Sequence, residues 1–97
     1  MIVSFNDEAL RDLEDIGNFI ARDNPRRAAT FVDELVDKCI DIGAFSEAFP
    51  LVQRYARYAI RKRAYRRYLI FYRVIDGRVE IIHVRHGARD YSALLES

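Results

Sequence analysis

Tryptophan is absent from this chain, and cysteine and methionine occur once each. A lone thiol, Cys39, cannot form an internal disulfide, and zinc held by cysteines is excluded. Cys39 sits among apolar neighbours and is expected to be plain core, which suits a reducing cytoplasm. Two prolines and four glycines punctuate 97 residues, and no linker, repeat or low-complexity segment is found. No apolar run approaches the roughly 20 residues that cross a membrane. Asp7, Glu8 and Arg11 interrupt the start, so no signal peptide is expected. Gly-rich phosphate loops, paired-histidine helices and Gly-x-Ser-x-Gly turns are missing too, and no cofactor or metal is expected. A chain of this length is expected to be one domain, residues 1–97, with a single core.

Charge is close to balanced at +1 overall, but not along the chain. Residues 1–47 carry 11 acids and 5 bases, whereas residues 48–97 carry 11 bases and 4 acids. Between Ala48 and Ile75 stand Arg54, Arg57, Arg61, Lys62, Arg63, Arg66, Arg67 and Arg73, with no acid. Such asymmetry points to an anionic partner for the second half. Interleaved Tyr55, Tyr58, Tyr65 and Tyr68 would suit unpaired bases, since aromatic rings stack on them. An acidic protein segment fits the same charges, and arginines on an outer strand also discourage edge-to-edge aggregation. Composition does not separate these readings.

The pattern predicts a helical hairpin followed by strands. Ile2 to Phe5 reads as a short edge strand, and Asn6 as the cap of a helix over Asp7–Arg22. Ala9, Leu13, Ile16 and Ile20 make its apolar stripe, widened by Leu10 and Phe19, with Phe5 and Leu10 spaced as a hydrophobic staple. Asp12 is expected on the solvated side. Asn24 and Pro25 open a second helix reaching about Phe45, with a stripe from Ala28 to Ile42. So short a link makes an αα-hairpin. A loosely alternating stretch, Arg57–Arg63, reads as a first, exposed strand. Tyr68–Ile75 and Val79–Val84 read as the central pair, buried on both faces and joined at Asp76-Gly77. The order β-α-α-β-β-β, with a helical turn over Tyr91–Glu96, gives an α+β, two-layer domain.

Candidate chemistry is sparse. The carboxylate pairs Asp12/Asp15 and Asp33/Asp37 are expected on solvated helix faces. His83 and His86, three apart on a strand, face opposite ways and do not make a metal pair. His83 is expected to share the parity of Val79 and Ile81 and to be hydrogen-bonded structure. His86 begins the cluster His86-Gly87-Ala88-Arg89-Asp90-Tyr91 at the mouth of the sheet. Its His, Arg and Tyr would suit acid–base work on a phosphodiester, or would make a packing corner in which Arg89 and Asp90 hold the tail.

Four motifs in order, over nearly the whole chain, carry a resemblance. They are Ala9-x-x-Asp12-Leu13-x-x-Ile16, Asn24-Pro25-x-x-Ala28, Tyr68-Leu69-Ile70-Phe71-Tyr72-Arg73-Val74 and the ending Val79-Glu80-Ile81-Ile82-His83-Val84-x-His86-Gly87-Ala88-Arg89-Asp90. In these the chain resembles the ParE branch of the RelE/ParE toxins of bacterial toxin–antitoxin systems. The resemblance implies a helical hairpin packed on a twisted antiparallel sheet. It implies a ParD-like ribbon-helix-helix antitoxin whose acidic and apolar tail folds across the toxin in a hetero-oligomer, with operator DNA bound only through that antitoxin. RelE-like members cleave messenger RNA on the ribosome, and ParE-like members poison DNA gyrase. Leu69 stands where the nucleases carry an arginine, and Leu95 falls about where they end in tyrosine. Lys62 and Arg89 match basic positions of the nuclease set, and Tyr91 is a shifted stand-in for the tyrosine. The resemblance therefore favours gyrase over RNA, because a nuclease without that arginine loses much of its charge stabilisation. If the activity were nucleolytic, Lys62, His86, Arg89 and Tyr91 would carry it. Arg57, Arg61, Arg63, Arg66, Arg67, Arg73 and Arg89 are the expected surface for antitoxin or target.

Overall fold

The computed structural model describes residues 1–88. In chain order it contains β1 (Val3–Phe5), α1 (Asp7–Ala21), α2 (Pro25–Asp41), 3-10 turns over Ile42–Ala44 and Gln53–Tyr58, then β2 (Arg61–Tyr65), β3 (Tyr68–Ile75) and β4 (Arg78–His86). The sheet order is β1-β4-β3-β2, so the apolar pair β3 and β4 is central as expected. The two helices cover one face, giving an α+β fold of two layers. The sheet is antiparallel through β2, β3 and β4, but β1 adds to β4 in parallel, which makes it mixed. A parallel neighbour is possible because the whole helical hairpin and β2–β3 intervene between β1 and β4.

Local sequence accounts for the helix ends. Asn6 Oδ1 accepts from the Ala9 N–H at 2.9 Å, and Asn24 Oδ1 accepts from Arg27 N–H at 3.0 Å. Pro25 occupies the start of α2, where its missing N–H costs nothing. Ala9, Leu13, Ile16, Phe31, Leu35 and Cys39 from the helices meet Ile70, Tyr72, Val79, Ile81 and Val84 from the sheet in one core. Leu10 and Phe19 do not join that stripe, since they remain 53% and 48% exposed.

Three further expectations change. The first strand does not begin at Arg57. Gln53–Tyr58 coils as a 3-10 turn, Ala59 takes a left-handed φ of 56°, and β2 starts only at Arg61. The loose alternation there fitted a strand, but backbone bonds from Val52 N–H to Ile60 and from Lys62 N–H to Pro50 decide the entry point. Burial on both faces holds only in part: Phe71 is 5% exposed on the face away from the helices, yet Val74 is open to solvent. The third concerns parity. A register shift beside Phe71/Tyr72 pairs Tyr72 with Ile81 and Phe71 with His83. His83 therefore leaves the face of Val79 and Ile81, and Val84 takes the core position instead. The Asp76-Gly77 turn is as expected, with φ of 52° and 71°.

Candidate functional site

Antiparallel pairing brings the end of β4 beside the β2–β3 turn. Tyr68 pairs with His86, and the Gly87 N–H donates to the Arg67 carbonyl at 2.7 Å. The start of α2 arrives at the same end. The result is a shallow groove of about 400 Å³, floored by Phe19, Ile20, Phe31 and Tyr68. Arg27, Arg66, Arg67 and His86 form its rim. Ring contacts fix the floor: Phe31 lies 5.4 Å from Tyr68, and Tyr68 meets His86 edge-on at 5.3 Å. A second depression of about 440 Å³ adjoins it beyond the turn, against Ala64, Leu69 and Gly87.

The rim charges differ in their freedom. Arg27 lies over the Phe31 ring and donates to Glu34, which also accepts from the Tyr65 hydroxyl at 2.5 Å. The Arg27 guanidinium, and then the Tyr65 hydroxyl, hold the Glu34 carboxyl down at about 2. Arg27 is raised in turn by the same hydrogen bond. Arg66 and Arg67 are exposed and form no described salt bridge, although Arg66 rests over the Tyr65 ring and adds to the positive field on Glu34. Arg66 also holds a left-handed φ of 55°.

The remaining basic residues do not share this surface. Strand alternation turns Arg61 and Arg63 toward the helical layer. Arg61 donates to the Phe49 carbonyl at 2.6 Å, and Arg63 donates to the Lys38 carbonyl at 2.9 Å near the end of α2. Arg73 pairs with Glu80 at 2.9 Å across β3 and β4. Arg57 lies on the 3-10 turn, stacked on Tyr58. Of the six described arginines expected to bind a partner, only Arg66 and Arg67 meet in one groove. Arg89, Tyr91, Leu95 and the expected tail helix lie outside the described residues. Lys62 and His86 are separated by the sheet itself: Lys62 pairs with Phe71, on the face opposite Tyr68 and His86.

One cluster departs from the sequence expectation. Asp12 is 7% exposed, not solvated, while Asp15, Asp33 and Asp37 are exposed as expected. Its carboxylate accepts from the Val84 N–H at 3.0 Å and lies 3.0 Å from His83 Nδ1 and 3.5 Å from Arg85. His83 thus has the hydrogen-bonded structural role expected of it. Among the described residues no group of histidine, cysteine and carboxylate side chains could hold a metal ion. Nor is any described helix long and apolar enough to cross a membrane.

Fold and site together define a small α+β domain, cationic and apolar at one end, with no acid–base pair assembled from Lys62 and His86. The chain belongs to the ParE toxin family of type II toxin–antitoxin systems, parDE, whose profile matches residues 3–91. Its fold is similar to that of a chain from the chromosomal ParDE toxin–antitoxin system of P. aeruginosa, at a TM-score of 0.67. That likeness covers 89% of this chain and 95% of the other at 15% identity, and so speaks to the fold alone. A search of curated proteins finds no match.

Proposed function

We propose that this chain arrests growth by inhibiting DNA gyrase, acts in the cytoplasm without catalytic turnover of its own, and is neutralised by a ParD-like ribbon-helix-helix antitoxin in a hetero-oligomer. The observation that carries the choice of a binding toxin over a ribonuclease is the placement of Lys62 and His86 on opposite faces of the sheet. General acid and base must both reach one phosphodiester, within hydrogen-bond distance of it. Between Lys62 and the turn, the outer face carries Ala64 and Leu69 cross-strand from each other, and the cation beside them, Arg85, is held by Asp12. Arg66 and Arg67 supply charge at the end, which supports recognition of an anionic macromolecule.

Purified toxin added to gyrase supercoiling reactions is expected to abolish supercoiling at micromolar concentration, and addition of the antitoxin restores it. Normal supercoiling at that concentration sinks the target assignment. Primer extension on translated messages separates the ribonuclease: codon-linked cleavage that disappears in Arg89→Ala would replace the gyrase reading.

A further inference from the structure

The groove at the end of the sheet has a composition that restricts what can fill it. Phe19 keeps nearly half its surface in water at the groove, beside the buried stripe of Ala9, Leu13 and Ile16. Arg27 is already salt-bridged to Glu34, so the rim charges without a salt bridge are the exposed Arg66 and Arg67. A phosphate backbone would answer the two guanidinium groups and leave the phenyl ring wet. A neutral apolar helix would cover the ring and strand the charges. An acidic peptide with a large apolar side chain answers both, because its carboxylates match the rim while its apolar group is removed from water.

The turn itself adds a second observation. Arg66 occupies a left-handed conformation that glycine or asparagine adopts with less strain. The other tight hairpin turn of this sheet has Asp76 at the corresponding first position, with φ of 52°, and aspartate tolerates that conformation better than arginine. An arginine held at a strained hairpin tip, beside a groove, indicates a use for the guanidinium that outweighs turn preference.

We infer that this groove is where the antitoxin anchors, by a segment that places a leucine or phenylalanine on Phe19 and Tyr68 and flanking aspartate or glutamate on Arg66 and Arg67. The inference rests on the antitoxin reading above and assigns its anchoring point. It removes Arg61, Arg63 and Arg73 from that contact, since their guanidinium groups already serve the fold.

The test uses the full chain and two labelled synthetic peptides of equal negative charge in fluorescence anisotropy. One carries leucine and phenylalanine between glutamates and aspartates, and the other has serine at those two places. The first is expected to bind saturably, and the second about tenfold more weakly or worse. Phe19→Asp, and separately Arg66→Glu with Arg67→Glu, should each weaken the first by about tenfold, with unchanged circular dichroism. All three positions are exposed, so the variants are expected to fold. Arg61→Gln and Arg73→Gln should bind as the parent does. Equal binding of the two peptides, indifference to the variants, or displacement by a short DNA duplex at lower concentration would overturn the inference, the last by making the end a phosphate surface. A co-expressed antitoxin encoded beside the toxin separates the two levels. If it binds parent and variants alike, the groove fails and the antitoxin reading stands. If it binds neither, both fail. Gyrase inhibition is read independently of either result.

Discussion

Asp12 and Val84, 72 positions apart, are joined by a hydrogen bond from the Val84 N–H to the Asp12 carboxylate at 3.0 Å. The bond exists because β1 is too short. Strand β1 pairs with Val79, Glu80 and Ile81 only, and the Asn6 N–H reaches the Ile81 carbonyl as the chain turns into α1. Beyond that point no strand among the described residues pairs with this edge of β4. The first turns of α1 bring Asp12 alongside, and its carboxylate stands in for the missing strand. Arg85 supplies the countercharge and His83 a further hydrogen-bond contact, both flanking Val84, and together they make a buried carboxylate tolerable.

Replacing Asp12 by alanine should therefore cost about 2–4 kcal/mol, because a buried N–H and a half-buried arginine lose their shared acceptor. Asp12→Asn keeps an oxygen for Val84 and should cost roughly half as much. Urea denaturation of both variants checks this. Equal losses, or losses no larger than those of surface substitutions, would remove the edge-capping role.

Asp12 also shows where the sequence was legible and where it was not. It lies three residues after Ala9 and four before Ile16, so helical spacing puts it on the buried stripe. Residue type overrode position in assigning it to solvent. The caps at Asn6 and Asn24, the hairpin of helices and the Asp76-Gly77 turn were readable because each depends on neighbours within a few positions. The parallel β1, the register shift at Phe71/Tyr72 and the late start of β2 depend on pairing between distant segments, which periodicity does not encode. The same holds for the site. A run of arginines looked like one surface, but strand alternation sends Arg61 and Arg63 to the helical face. Folding then adds Arg27 and Phe19, from the acidic half of the chain, to Arg66 and Arg67.

Glu34 gives the fold a defined acid limb. Its carboxyl is held at about 2, below the ordinary 4.5, chiefly by the hydrogen bond from Arg27 and then by that from Tyr65. A carboxylate with a depressed folded value stabilises the native state above its unfolded value, and that contribution is lost as pH falls through the folded one. The parent should exceed Glu34→Gln in stability above about pH 5, and the gap should close by about pH 2. The side chain is one-third exposed, so added salt should narrow the gap too. Thermal melts across that range decide it. A difference that does not change with pH would show that packing, not charge, connects Glu34 to α2 and β2.

Gly43 marks a close approach. A Cβ there would stand 2.4 Å from the Met1 carbonyl oxygen and 3.0 Å from a Val3 methyl. Backbone cannot move aside as a side chain can, and the Met1 amine donates to the Gly43 carbonyl at 2.9 Å. Gly43→Ala should cost about 1–3 kcal/mol through displaced β1, as overpacking in a filled interior does. At this size each kcal/mol lowers the melting temperature by about 4–8 °C. An unchanged melt would mean that β1 can slide along β4 without loss.

The Arg66 turn separates stability from recognition. At most strand and helix positions alanine is the better residue than glycine by about 0.5–1 kcal/mol, because glycine loses more freedom on folding. A φ of 55° reverses that order, since alanine keeps the clash of its Cβ with the backbone and glycine has none. Both substitutions remove the stacking of Arg66 on Tyr65, so that loss cancels between them. Arg66→Gly should therefore be more stable than Arg66→Ala by about 1 kcal/mol in urea denaturation. Affinity for the acidic, apolar peptide should fall equally in the two, because each lacks the guanidinium. If stability follows the usual order, the turn relaxes freely and its arginine carries no conformational cost. If affinity tracks stability across the pair, the groove responds to the shape of the turn and not to its charge.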